Sequence, residues 1–198
     1  MPTASIPAAP PLRRQALVNT GRGAVPTIHG LHHFAYRCRS VEETRHFYED
    51  VLGLPLVFTV YHDKVPSTGD EHPYCHIFFE LGDGGCLAFF DLFDGKACEP
   101  DPATPSWVNH FAFQVEKRAD LEVMKARLEA EGVEVIGPVD HKIFDSIYFF
   151  DPNGIRLELV FQTAPPEVMK AKAGEAHAQL ARFEEMRRHY FAKGAHGG

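Results

Sequence analysis

Two stretches of the chain repeat one another. LHHFAYRC (residues 31–38) and VNHFAFQV (108–115) both contain His-Phe-Ala-aromatic, and His33 and His110 lie 77 residues apart. Read as strands, they alternate their side chains: His33, Ala35 and Arg37 share one face, as do His110, Ala112 and Gln114. Phe34 and Tyr36, like Phe111 and Phe113, take the opposite face, where a helix should pack. Both histidines therefore point away from the helices. A third run, IRLELVF (155–161), sends Leu157, Leu159 and Phe161 under the helix and Arg156, Glu158 and Val160 to the other side. An ionised carboxylate buried without a partner costs several kcal/mol, so something positive must meet Glu158. Two imidazoles and one carboxylate directed into the same hollow are the components of a 2-His-1-carboxylate metal site. A single strand histidine is most often a hydrogen-bonded core or surface residue, and Arg156 is an alternative partner for Glu158. Three matching faces in a duplicated frame favour the metal reading.

The elements that must position these residues also come in duplicate. After the first strand, SVEETRHFYEDVLG (40–53) has helical spacing, with Thr44, Phe47, Tyr48, Val51 and Leu52 on one stripe. Ser40 and Glu43 have the spacing of a capping box, and Gly53 supplies a left-handed stop. LPLVFTV, YCHIFFEL and CLAFFDLF are strand-like and are separated by the loop 63–73 and the turn GDGG. The second half keeps this order. DLEVMKARLEAEG (120–132) reads as a helix with Asp120 as N-cap, Leu121, Met124 and Leu128 inward, and Gly132 at its end. VEVIGPV, SIYFFD and IRLELVF read as strands, the last two joined through DPNG. Each half is thus β-α-β-β-β. The expected class is α+β: two βαβββ modules, residues 28–98 and 107–163, forming a curved mixed sheet (a half-barrel) around a metal site. Residues 1–27, rich in Pro and Ala, read as an arm that is disordered or ordered only on contact. Residues 164–198 read as a helical tail with apolar spacing at Val168, Met169, Leu180, Phe183 and Tyr190, interrupted by Gly174. It is expected to cap the hollow or to form a homodimer contact.

Composition limits the function. A net charge of −7 without a basic block argues against nucleic acid as partner. The first 18 residues hold no continuous apolar run, which argues against export and membrane insertion. The four cysteines show no C-x-x-C pairing and read as reduced thiols, in keeping with a cytoplasmic protein.

LHHFAYRC with FYEDVLGLPL, and NHFAFQV with SIYFFDPNGIRLELV, together resemble the two halves of a vicinal oxygen chelate protein. That superfamily includes glyoxalase I, the extradiol ring-cleavage dioxygenases, and the bleomycin- and fosfomycin-resistance proteins. The resemblance covers about residues 28–163 and implies a divalent metal held by His33, His110 and Glu158. Glyoxalase I-like members add a fourth ligand. Here Ala88 or Phe89 falls at that place and cannot bind a metal, and Asp91 lies two or three residues further along. A three-ligand site leaves positions for two adjacent substrate oxygens and for dioxygen. By resemblance to the ring-cleaving dioxygenases, Tyr148 would contact the metal-bound substrate oxygen, while His32 or His141 would shuttle a proton. Strict alternation sends His32 to the wrong face unless the strand start is irregular. His62, His72 and His76 flank a long loop and are further candidates for the pocket lining. The expectation is an Fe(II)- or Mn(II)-dependent dioxygenase (another divalent metal being the alternative) acting with O2 on a small catechol- or hydroquinone-like substrate. A non-redox lyase or isomerase working through an enediolate is the second reading, and a metal-free small-molecule-binding resistance protein the third.

Overall fold

In the computed structural model, the described residues are Pro26 and 28–192. The arm expected over residues 1–27 lies, apart from Pro26, outside them. The chain divides into two units, residues 1–104 with Asp151–Ile155, and residues 105–150 with 156–198.

In the first unit, β1 (His33–Arg37) is followed by α1 (Val41–Arg45), β2 (Leu56–His62), β3 (Tyr74–Glu80) and β4 (Cys86–Asp91). The four strands form one sheet in the order β1-β4-β3-β2, with β1 parallel to β4 and the remaining pairs antiparallel. Ser40 caps α1 by accepting from the Glu43 N–H at 3.3 Å. The reciprocal half of the expected capping box is replaced by an ion pair, because the Arg39 guanidinium takes the Glu43 carboxylate at 2.6 Å. From His46 to Val51 the helix widens into a π turn that ends at Gly53, whose φ of 78° is one that residues with a Cβ rarely adopt. Thr44, Phe47, Tyr48 and Val51 are buried on this helix, and the Tyr48 ring lies 4.8 and 5.3 Å from those of Phe89 and Phe79.

The turn Asp151–Ile155 is bonded within this first unit. Asp151 Oδ1 accepts from the N–H groups of Asn153 and Ile155, and its Oδ2 accepts from the Tyr48 hydroxyl and the Asn153 amide. The Asn153 side chain also bonds Thr44 Oγ1 and the Arg39 N–H. This D-P-N-G stretch is therefore a hydrogen-bonded plug as well as a turn.

The second unit repeats the topology: β5 (His110–Gln114), α2 (Arg118–Ala130), β6 (Ile136–Asp140), β7 (Phe144–Phe150) and β8 (Arg156–Gln162), in the order β5-β8-β7-β6. Leu121 and Leu128 of α2 are fully buried, as are Ile147, Phe149 and Leu157 of the sheet. The helix starts three residues earlier than its pattern suggests. Lys117 is the N-cap, and Asp120, expected there, stands three residues inside and accepts from the Lys117 N–H at 2.9 Å. The C-terminal helix α3 (Pro166–Ala192) runs straight through Gly174, and none of its residues is buried. A lone Gly costs roughly 1 kcal/mol of helix propensity, too little to break 27 residues of otherwise good helix formers. Among the described residues, no helix is long and apolar enough to cross a membrane, and the four cysteines are free.

Candidate active site

Strand register fixes which side chains share a face. In the second unit Ala112 pairs with Glu158, His110 with Arg156 and Tyr148 with Glu158. His110, Glu158, Arg156 and Tyr148 therefore all project from the sheet side opposite α2, while Leu157, Leu159 and Ile147 lie on the helix side. His110 Nε2 stands 2.9 Å from Glu158 Oε2, and Glu158 is 4% exposed. His110 Nδ1 is 3.1 Å from the Val108 carbonyl, an acceptor, so the ring proton sits on Nδ1 and Nε2 carries a lone pair. A lone pair facing a carboxylate oxygen at 2.9 Å is repulsive unless a proton or a metal cation is added. Imidazole nitrogen and carboxylate oxygen are suitable donors for Fe(II), Mn(II) or Zn(II), so this pair fits a divalent ion.

Tyr148 and His141 join the same cluster. The Tyr148 hydroxyl donates to Glu158 Oε1 at 2.9 Å and lies 2.7 Å from His141 Nε2. Since the phenol has one proton, given to Glu158, His141 must donate from Nε2. Burial, reinforced by the Glu158 carboxylate, pushes the Tyr148 phenol above its ordinary pKa. His141 reaches this position because β7 begins at Phe144, before the expected start at Ser146. The connection from Asp140 is then a tight turn closed by the His141 N–H bond to the Phe144 carbonyl at 2.9 Å. Arg156 does not supply the counter-charge considered for Glu158. Its guanidinium carbon lies 4.6 Å above the Tyr148 ring, and its Nε is buried without a partner among the described residues.

The first unit holds His33 on the corresponding face. His33 pairs with Cys86 and Ala35 with Ala88, so Cys86 and Ala88 occupy the stations of Arg156 and Glu158. Phe78, opposite Ala88, occupies that of Tyr148. The duplicated frame thus has no carboxylate and no phenol here, and Ala88 stands where a fourth ligand would be. Asp91 is turned to the helix side, where its carboxylate accepts from the N–H groups of Val41 and Phe93. His32 immediately precedes β1, so alternation does not govern it. Its Nδ1 lies 2.7 Å from His33 Nδ1. That contact needs one shared proton, and placing it on His33 frees the His33 Nε2 lone pair.

His76, one of the three candidates for the pocket lining, is 8% exposed, stacked on Phe90 at 3.6 Å and 6.3 Å from the His33 ring. Burial pulls its pKa down, against the Phe89 carbonyl, which accepts from its Nδ1. His62 and His72 are exposed. Within each unit, among the described residues, no group of three or more His, Cys, Asp or Glu is gathered to hold a metal. The second unit brings together His110, Glu158, Tyr148 and His141, and the first holds His33 and His32.

The model of the Glyoxalase/Bleomycin resistance protein/Dioxygenase superfamily matches residues 30–159. The chain belongs to this superfamily. A biphenyl-2,3-diol 1,2-dioxygenase of Rhodococcus globerulus is 29% identical over 138 residues, which are 69% of this chain and 66% of that protein. The chain therefore spans just under two thirds of this relative's length. The fosfomycin resistance protein FosX of Mesorhizobium loti matches with a TM-score of 0.51 at 25% identity, covering 73% of this chain and 99% of FosX. The FosX of Listeria monocytogenes, solved with Mn(II), matches with a TM-score of 0.51 at 20% identity over 69% and 95% of the two chains, a likeness of fold.

Proposed function

We propose that this superfamily member is a metal-dependent dioxygenase of extradiol type, in which His33, His110 and Glu158 hold Fe(II) or Mn(II). The observation that carries the reading is the His110–Glu158 pair, whose two acceptor atoms stand 2.9 Å apart with the imidazole tautomer already fixed by Val108. Such backbone support of a ring's second nitrogen is the usual outer shell of a ligating histidine. When bound, the metal would supply Lewis acidity and a common centre for a substrate hydroxyl (both hydroxyls, in a catechol) and for O2. The Tyr148 hydroxyl orients the substrate oxygen, and the His141 Nε2–Tyr148 contact offers a route by which a proton leaves or returns. The 29% identity to a biphenyl-diol dioxygenase supports a catechol- or hydroquinone-like substrate.

The test is anaerobic reconstitution with Fe(II) or Mn(II), metal counting, and oxygen uptake with a panel of catechols and hydroquinones. One equivalent of metal, lost in Glu158→Gln and His110→Ala, is expected, together with substrate-dependent oxygen consumption. Tyr148→Phe should keep the metal and lose about 100-fold or more in turnover. Metal-loaded protein that consumes no oxygen with any of these substrates rejects the dioxygenase chemistry.

One observation favours a second reading. Mesorhizobium FosX is covered over 99% of its length, whereas the dioxygenase relative extends beyond this chain. A non-redox reaction on a substrate with adjacent oxygens would then proceed with Mn(II) or Zn(II) under argon.

A further inference from the structure

We propose that α3 is a self-association element: Met169–Arg187 pairs antiparallel with the same segment of a second copy of this chain, about a twofold axis. None of the 27 residues of α3 is buried, although Leu180, Phe183, Met186 and Tyr190 are each more than half exposed. Exposed apolar residues on a long helix ask for a partner, and the sequence of α3 specifies which.

Met169, Ala173, Ala176, Leu180, Phe183, Arg187 and Tyr190 follow one another at alternating steps of four and three. That 3.5-residue repeat is the seam of a two-helix coil, here about 30 Å long. Small residues occupy its N-terminal half and large ones its C-terminal half. A parallel pair would set Ala173 and Ala176 against their own copies, leaving a gap, and would set Arg187 against Arg187. An antiparallel pair places Ala173 against Phe183 of the partner subunit, Ala176 against Leu180 of the partner subunit, and Met169 against Arg187 of the partner subunit. Phe183 and Leu180 then each meet an alanine, and the Arg187 stem packs along Met169 while its charged end reaches water.

Both halves carry mixed charge, Lys170, Lys172 and Glu175 in the first and Arg182, Glu184, Glu185, Arg187 and Arg188 in the second, so the pairs at the edge of the seam matter and not a net charge of either half. In the antiparallel register Lys170 lies beside Glu184 of the partner subunit on the edge of the seam, and the twofold repeats the pair. Gly174 falls outside the seam, where its missing side chain costs no contact. The surface is isologous, so it closes on two chains and does not propagate.

Sedimentation equilibrium of the full chain is expected to give twice the 22.2 kDa chain mass. Leu180→Asp should yield monomer with an unchanged circular dichroism spectrum of the folded units. Lys170→Glu and Glu184→Lys should each weaken the dimer, by about tenfold in dissociation constant for the two symmetric pairs together. Glu184 is also paired with Arg187 of its own helix at 3.5 Å. The decisive quantity is therefore the cycle: the double variant Lys170→Glu/Glu184→Lys should associate more tightly than either single variant. A wild-type monomer at tens of micromolar, a dimer that survives Leu180→Asp, or a double variant no better than the singles would each overturn the proposal. So would a monomer that co-floats with phosphatidylserine vesicles, which would assign this face to a lipid surface.

Discussion

Asp151 does more at the residue scale than its place in a turn motif suggests. Its carboxylate is 5% exposed and accepts four hydrogen bonds, from the Tyr48 hydroxyl, two backbone N–H groups and the Asn153 amide. Those bonds favour the ionised form, yet burial outweighs them and holds the carboxyl above its ordinary pKa. The sign of the consequence follows from linkage. A group whose folded pKa is raised stabilises the fold most fully at pH below its unfolded pKa, and that contribution is lost as pH rises through the folded value. Relative to Asp151→Asn, which cannot titrate, the wild-type protein should therefore lose stability as pH rises above the ordinary carboxylate range. Urea unfolding of both proteins at matched pH values reads this difference directly, and a difference that grows with pH in favour of wild type would contradict it. At Tyr148 burial and the Glu158 carboxylate likewise raise the phenol pKa, so its hydroxyl remains a donor to Glu158 well above neutral pH.

Elements are held here by a few fully buried side chains per face. Leu128 of α2 is 0% exposed, and Leu157 and Phe149 of the sheet beneath are 1% exposed, whereas Met124 on the same helix is only half-buried. Leu128→Ala should cost about 2–5 kcal/mol and Met124→Ala distinctly less, measured by denaturant unfolding of the full chain. The strand faces were legible because period-2 alternation leaves little freedom: placing Glu158 among Leu157, Leu159 and Phe161 already fixes its side of the sheet. The duplication was legible because His-Phe-Ala-aromatic recurs in the same register. The resemblance named His32 and His141 as candidates, but what placed them, and what placed His76, Asp120 and Asp151, was set by contacts that no local pattern encodes. Alternation does not apply to His32, which precedes its strand. His141 is delivered by a turn whose residues carry no glycine or proline signal. His76 is buried by stacking on Phe90 of the neighbouring strand. Asp120 reads as an N-cap by type, but the helix begins earlier and uses Asp120 to bind the Lys117 N–H. The Asp151 plug joins residues more than 100 positions apart, which no window of sequence can contain.

For the whole molecule, the proposed metal centre has a consequence that needs no substrate. The chain carries a net charge of −7, which raises the local concentration of cations. Three ligands separated by 77 and 48 residues would make the bound ion a cross-link between distant parts of the chain. An ion that binds the folded chain but not the unfolded one stabilises it by about 2.7 kcal/mol at one hundred times its dissociation constant. Thermal unfolding under argon should therefore shift upward with Mn(II) in a concentration-dependent way and return to its starting point with a chelator. Glu158→Gln should abolish the shift. So should His33→Ala, even though His33 belongs to the first unit and the His110–Glu158 pair to the second. Zn(II) should act similarly, because ligand type and not redox chemistry governs binding. A Mn(II)-dependent shift lost in Glu158→Gln but untouched in His33→Ala would mean that the second unit binds the cation without the first. The duplicated histidine would then need another explanation.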